Sequence, residues 1–295
     1  MSKCSLIFMS VVLMLSPVAH AKTIKGFDGV KVEIAHPKRI IALNSTTFEI
    51  IHALGKADLV VGVDNGALFF PPADSITKLG HPYRPSVEGM ISLKPDLVIS
   101  TEDSLPKASV EQLRSAKVPT LILQTSYEDG YKGLERRISI IAKVLGQEKQ
   151  GKVLIAKINK QVQDLNKKVA EIKDKKTVFF LYAHSPSDAS IYGKQTGSHF
   201  LIEQIGAKNA ADFATGVKPL TAEAMVQASP DSIIMMQRGL DAVGKLEGAL
   251  KMPGVSLTPA GKNKDVFVVD NTVRWIGPRF PEFAEKLFNE VYNNN

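Results

Sequence analysis

The chain has 295 residues, 44% of them apolar, with 37 Lys and Arg against 30 Asp and Glu. That supports one large or two ordinary folded domains and excludes a low-complexity or disordered chain. The basic residues are scattered rather than set in a stripe with interleaved aromatics, which argues against a nucleic-acid binder.

Residues 1–21 read as an export leader. Lys3 opens it, Leu6 to Leu15 is an apolar run too short for a good membrane span, and Ala19-His20-Ala21 is a small-residue cleavage site. Removing the leader also removes Cys4, the only cysteine. The mature chain is then expected to hold no disulfide, thiol nucleophile or cysteine metal site. Cys4 precedes the apolar run, so it is not placed as a lipid-bearing cysteine.

Arg39 to Leu43 predicts a strand. Thr46 and Glu49 predict a capping box, opening a helix lined by Phe48, Ile50, Ile51 and Leu54 and closed by Gly55. Leu59 to Val63 is the next strand. Asp64 to Gly80, with Phe69-Phe70-Pro71-Pro72, has no clear period and reads as a long surface loop.

Glu88 to Ile99, EGMISLKPDLVI, then predicts a short helix stopped by Pro95-Asp96 and a buried strand. A near copy, EAMVQASPDSII, occupies Glu223 to Ile234. Both carry Glu, Met, Pro, Asp and Ile at the same spacing. The duplication points to two similar lobes, each presenting one Glu at a helix start. Val110 to Ala116 reads as a helix and Thr120 to Leu123 as a strand, so the first lobe is a parallel α/β unit.

The pattern changes at Gly133. Leu134 to Leu145 is one helix, closed by Gly146. Leu154, Ile158, Val162, Leu165, Val169 and Ile172 then form one apolar stripe with a charged far side. A helix running from about Gln147 to Lys173 would be roughly 40 Å long, and reads as a rigid strut between lobes. The domain reading is a first lobe over 22–145, a connecting helix over 146–174 and a second lobe over 175–295. The second lobe opens with a strand at Val178 to Tyr182, ended by Ala183-His184-Ser185-Pro186. A helix through Phe200, Leu201 and Ile205 follows, then the repeat and its strand Ile233 to Met236. A helix near Ala242 to Leu250, a strand at Val266 to Val269 and a final helix from Phe280 to Tyr292 complete it. The only Trp lies in Arg274-Trp275-Ile276-Gly277-Pro278-Arg279.

A leader, a lobe, a helical strut and a lobe, with a Lys38-Arg39-Ile40-Ile41-Ala42-Leu43 start and the repeat at Glu88, resemble the substrate-binding proteins of iron-siderophore, cobalamin and haem ABC importers. The resemblance covers residues 36–293 and implies two Rossmann-like α/β lobes joined by one long helix, the class III periplasmic binding protein architecture. It implies little hinge motion, a ligand cleft between the lobes, a periplasmic location and a monomer. It also implies one Glu per lobe, here Glu88 and Glu223, docking on the ABC permease that works with its ATPase.

The stretch Gly80-His81-Pro82-Tyr83-Arg84-Pro85-Ser86-Val87-Glu88-Gly89 resembles the haem-binding branch, where a Tyr ahead of the first docking Glu holds haem iron. Counted without a gap, His81 takes that Tyr's place; with a small shift, Tyr83 and Arg84 match. His184 sits where some haem-binding members carry a second ligand. The resemblance thus makes His81, Tyr83 and His184 candidate haem-iron ligands, in phenolate or imidazole form. Arg84, Arg238 and Arg274 are candidates for pairing the haem propionates, and Phe69, Phe70, Tyr192 and Trp275 for walling the ring. Haem is then the transported ligand, with no catalytic cofactor; a ferric siderophore or cobalamin is the alternative.

A bare metal-ion binder and an enzyme are disfavoured. Once His20 goes with the leader, His36, His52, His81, His184 and His199 remain, with no H-x-H and no His-rich loop. There is no G-x-S-x-G and no H-E-x-x-H.

Overall fold

The computed structural model describes residues 21–125, 127 and 129–293. All of the expected leader except Ala21 lies outside them. Among the described residues no helix is long and apolar enough to cross a membrane.

Two sheets organise the chain. In the first, five parallel strands run in the order Thr77–Lys78, Val60–Val63, Ile40–Ala42, Leu97–Thr101, Thr120–Leu123. Leu97–Thr101 is buried throughout. A strand covered on both faces keeps apolar residues without alternation, as its sequence does. In the second sheet, Thr177–Ser185, Ser232–Met236 and Val266–Val269 are parallel. Asp188–Tyr192 and Val217–Pro219 extend it antiparallel, and Lys208–Asn209 pairs beside Thr177–Ser185. The expected end of strand at Ala183 is therefore corrected. The strand continues to Ser185 and returns through a hairpin to Asp188–Tyr192, because Pro186 sits in the turn rather than in a helix-bound loop. The single helix expected near 242–250 is two, Gln237–Ala242 and Lys245–Leu250, split at Gly244 with φ 89°.

The two repeats fold alike. Val87–Ser92 and Ala222–Ala228 are short helices capped by the hydroxyls of Ser86 and Thr221. Met90 and Met225 are fully buried, and Lys94 and Ser229 turn the chain at φ 48° and 42°. The Asp of each Pro-Asp pair then reaches the opening of its lobe's first strand. Asp96 accepts from the Lys38 and Arg39 amides at 2.7 and 3.0 Å; Asp231 accepts from the Thr177 amide and hydroxyl at 2.7 and 2.8 Å. Asp here is a clip between consecutive parallel strands as well as a helix stop.

Helix Gly130–Leu145 closes at Gly146 in a left-handed cap, and helix Glu148–Ala170 follows between the two sheets. The latter buries Gly151, Ile158 and Leu165 and leaves its charged side out. The terminal helix Phe280–Asn293 packs along it through Lys168–Glu285 at 2.6 Å and Lys157–Glu282 at 3.6 Å. One apolar core runs through both lobes, from Ile40, Phe48 and Leu97 to Leu134 and Ile138 and on to Phe180, Ile234 and Phe280. Tyr131 and Phe200 meet edge to face at 5.2 Å between Gly130–Leu145 and Gly197–Gln204.

Candidate functional site

In an open parallel sheet the crevice lies at the carboxyl ends of the strands where the strand order reverses. In the first lobe that point falls between Ile40–Ala42 and Leu97–Thr101. A polar floor occupies it. Asn44 sits at φ 72°, and its side chain accepts from the Thr46 amide. The helix cap is thus Asn44, not Thr46, and the expected Thr46–Glu49 capping box does not form. The Asn44 amide group donates to Thr101 and Ser104 hydroxyls at 3.2 Å each. Buried Asp64 accepts from the Asn44 and Gly66 amides. Burial pushes its carboxyl up to about 6 despite those donors.

The expected loop after Asp64 is ordered into 3-10 turns over Asn65–Phe69 and Pro71–Ala73, and its end joins the sheet as Thr77–Lys78. Gly80–His81 and Arg84–Pro85 then pair as a small hairpin with Pro82 and Tyr83 at its tip. Pro82 precedes Tyr83 in this turn, which brings the His81 and Tyr83 rings to 5.6 Å, tilted by 49°. His81 Nδ1 accepts from the Tyr83 amide at 3.3 Å. A ring accepting at Nδ1 carries its proton on Nε2, so neither nitrogen then offers a free lone pair. Tyr83 leans on Trp275 of the second lobe at 6.4 Å and keeps 37% of its surface exposed. Burial of its hydroxyl end pushes the phenol up to about 12, against a smaller opposing pull from the Arg274 charge.

From the second lobe, strand Thr177–Ser185 ends with Tyr182 and His184 on one face, their rings edge to face at 4.5 Å. Tyr182 is buried and His184 exposed. Arg238 and Arg274 both lie 5.5 Å from the Tyr182 ring centre. Arg238 also lies 5.7 Å from Phe69 of the first lobe, and Arg274 4.7 Å from Trp275. A ladder therefore crosses the cleft: Phe69, Arg238, Tyr182, Arg274, Trp275, Tyr83, His81. Among the described residues neither Arg238 nor Arg274 has a carboxylate within 4.0 Å, and Arg274 Nε is buried without a partner. Two guanidiniums that stack on aromatic faces and stand in no ion pair among the described residues give this cleft a chemistry suited to anionic groups on a flat or aromatic ligand.

The structure thus brings His81, Tyr83, His184, Arg238, Arg274 and Trp275 to one cleft. Tyr192 is buried behind them, 6.5 Å from Tyr182. Arg84 is exposed on the outer strand of the hairpin and joins no described contact of the ladder. Phe70 is corrected: it packs on Phe48 and His52 at 5.8 and 5.2 Å, under Arg279, away from the ladder. Its neighbour Phe69 takes the wall position because the 3-10 turn points successive rings to different sides. Tyr182 was missed; the signal was its i, i+2 spacing to His184 at a strand end.

Away from the cleft, Glu88 and Glu223 stand in the first turns of their helices, exposed and in no ion pair among the described residues. Three residues on, Ile91 and Val226 are also exposed, at 40% and 44%.

These features define a two-lobed α/β protein with a cleft between the lobes. The periplasmic binding protein family matches residues 40–273, and the chain belongs to it. It is a substrate-binding protein of an ABC importer and not an enzyme. It is similar to YvrC, an uncharacterised ABC transporter substrate-binding lipoprotein of Bacillus subtilis, 32% identical over 87% of this chain and 80% of that protein. A cobalamin-binding protein of Halobacterium salinarum is 25% identical over 88% of this chain and 70% of its own length. The structure of RhuT, a periplasmic haem-binding protein from Roseiflexus sp. RS-1 in apo form, superposes with a TM-score of 0.82 at 31% identity, covering 87% of this chain and 98% of that one.

Proposed function

We propose that this protein captures haem between its lobes in the periplasm and delivers it, for iron acquisition, to an inner-membrane ABC permease and its ATPase. The observation that carries the reading is the cross-cleft ladder, with Tyr83 on one rim, His184 on the other and, between them, two guanidiniums in no ion pair among the described residues. Haem needs an iron donor, a flat apolar slot and partners for two carboxylates.

Tyr83 is the first-lobe donor in this reading, because His81 already spends Nδ1 on the Tyr83 amide. A phenolate suits ferric iron, and His184 approaches the other face. Arg238 and Arg274 pair the propionates, with Arg84 at the rim. Phe69 and Trp275 wall the ring, and Tyr192 backs Tyr182. Glu88 and Glu223 meet basic residues of the permease. The division into 22–145, 146–174 and 175–295 follows the same reading.

The ladder supports an anionic ligand over cobalamin, whose side chains are capped as amides. A ferric chelate such as ferric citrate shares the negative charge and is the second reading. Titrating the purified mature protein with hemin, cyanocobalamin and ferric citrate separates them. A Soret band shifted from that of free hemin and saturating at a stoichiometric end point supports haem. Binding of either other compound with no hemin response overturns it.

A further inference from the structure

Segment 270–279 belongs to the second lobe, yet first-lobe groups hold it. Glu49, 2% exposed at its side chain, accepts from Arg279 Nη2 at 2.8 Å. Arg279 is stacked between Phe70 of the first lobe and Phe283, each at under 5 Å (4.7 and 4.8 Å), and also reaches Asp270 at 3.5 Å. Arg137, buried in the helix that leaves the first lobe, donates to the Ile276 carbonyl and to the Thr46 hydroxyl. Gly277 lies so close to this surface that a Cβ would stand 2.8 Å from Thr46 and 3.0 Å from Glu49. Between these fixed points stand Arg274 and Trp275, which face the cleft. None of Glu49, Arg137 or Arg279 touches the ladder.

We infer that Glu49 and Arg137 are positioning residues of the ligand cleft: from the first lobe they clamp the 270–279 segment of the second and so fix where Arg274 and Trp275 point. The inference rests on the cleft being the ligand site. A buried carboxylate facing a guanidinium costs desolvation, and replacing such a pair with apolar groups is often neutral for stability. Its role here is geometric. It makes the spacing across the cleft a property of the fold, so the ladder is set before any ligand arrives.

Trp275 is the only Trp, so its fluorescence reports the segment without a ligand. Glu49→Gln keeps the shape and removes the charge. Glu49→Leu with Arg279→Leu removes both charges, and stands in if the single variant fails to fold. Each is compared with wild type by acrylamide quenching of Trp275 in the empty protein and by stopped-flow release of hemin. The expected result is freer quenching of Trp275 and release on the order of tenfold faster, with a native circular dichroism spectrum. Unchanged quenching in a folded variant overturns the inference. So does altered quenching with wild-type release. Should the wild-type protein bind no hemin, the haem reading fails, and the quenching comparison still decides the clamp.

Discussion

Replacing Tyr83 with Phe removes one oxygen from the cleft and tests the iron assignment through protons. In the empty protein burial holds the Tyr83 hydroxyl up to about 12, so it is a neutral phenol across the working range. At pH 7 the phenolate fraction is then on the order of 10⁻⁵. An iron-bound phenolate must shed that proton on binding. One proton released per haem gives an affinity that rises about tenfold per pH unit, hence about a hundredfold from pH 7 to pH 9. The sign follows because the free state holds the proton and the bound state does not. Hemin titrations followed at the Soret band at pH 6, 7, 8 and 9 measure it. Dividing wild-type affinity by that of Tyr83→Phe cancels the titration of hemin itself. A ratio flat across this range, with the same Soret maximum in both proteins, refutes Tyr83 as the donor. An imidazole donor gives that flat ratio, since free imidazole is already neutral above the ordinary His range.

Glu88→Arg or Glu223→Arg is expected to leave hemin affinity within about twofold, cost only about 0.3–1 kcal/mol of helix-dipole stabilisation and abolish uptake by cells carrying the importer. Tenfold weaker hemin binding in either variant contradicts docking. Gly130→Ala places a methyl at φ 54° and 2.5 Å from the Phe200 ring, so thermal denaturation is expected to show a loss of about 2–4 kcal/mol at the lobe junction. Asp64 is raised to about 6 in the folded chain, so the native state holds a proton that the unfolded state releases nearer pH 4. Stability relative to Asp64→Asn is therefore expected to grow on acidification from pH 7 to pH 4, by up to about 3 kcal/mol, and to be lost as pH rises through 6. Chemical denaturation across that range measures it. Small-angle scattering with and without ligand is expected to superpose, and a clear fall in radius of gyration on binding rules out the rigid strut.

Much of the architecture was legible because buried parallel strands announce themselves. Leu97–Ile99 and Ile233–Met236 are continuous apolar runs just behind Pro-Asp stops, and the stripe from Leu154 to Leu165 has one period. The duplicated Glu was readable for the same reason: its spacing to Met, Pro and Asp is set by local geometry that folds identically twice. The hairpin strand Asp188–Tyr192 escaped because its short sequence, D-A-S-I-Y, carries only weak alternation. The capping box failed because Asn44 competes for the same helix end, and a non-glycine residue at φ 72° leaves no mark beyond being Asn. The cleft was legible in its residue types and not in its pairings. Arg274 on Tyr182, Tyr182 beneath Arg238 and Glu49 on Arg279 join positions far apart in the chain, and residue spacing carries no record of such contacts.

The core cluster that runs from Ile40 to Phe280 through both lobes has a consequence beyond the molecule itself. On the reading that the lobes barely move on loading, the carrier shows the membrane nearly the same face empty as full. Vacant copies must then queue at the permease alongside laden ones. Raising the amount of this protein without raising its cargo is expected to slow import, and the cell's ratio of carrier to permease becomes a throttle on supply.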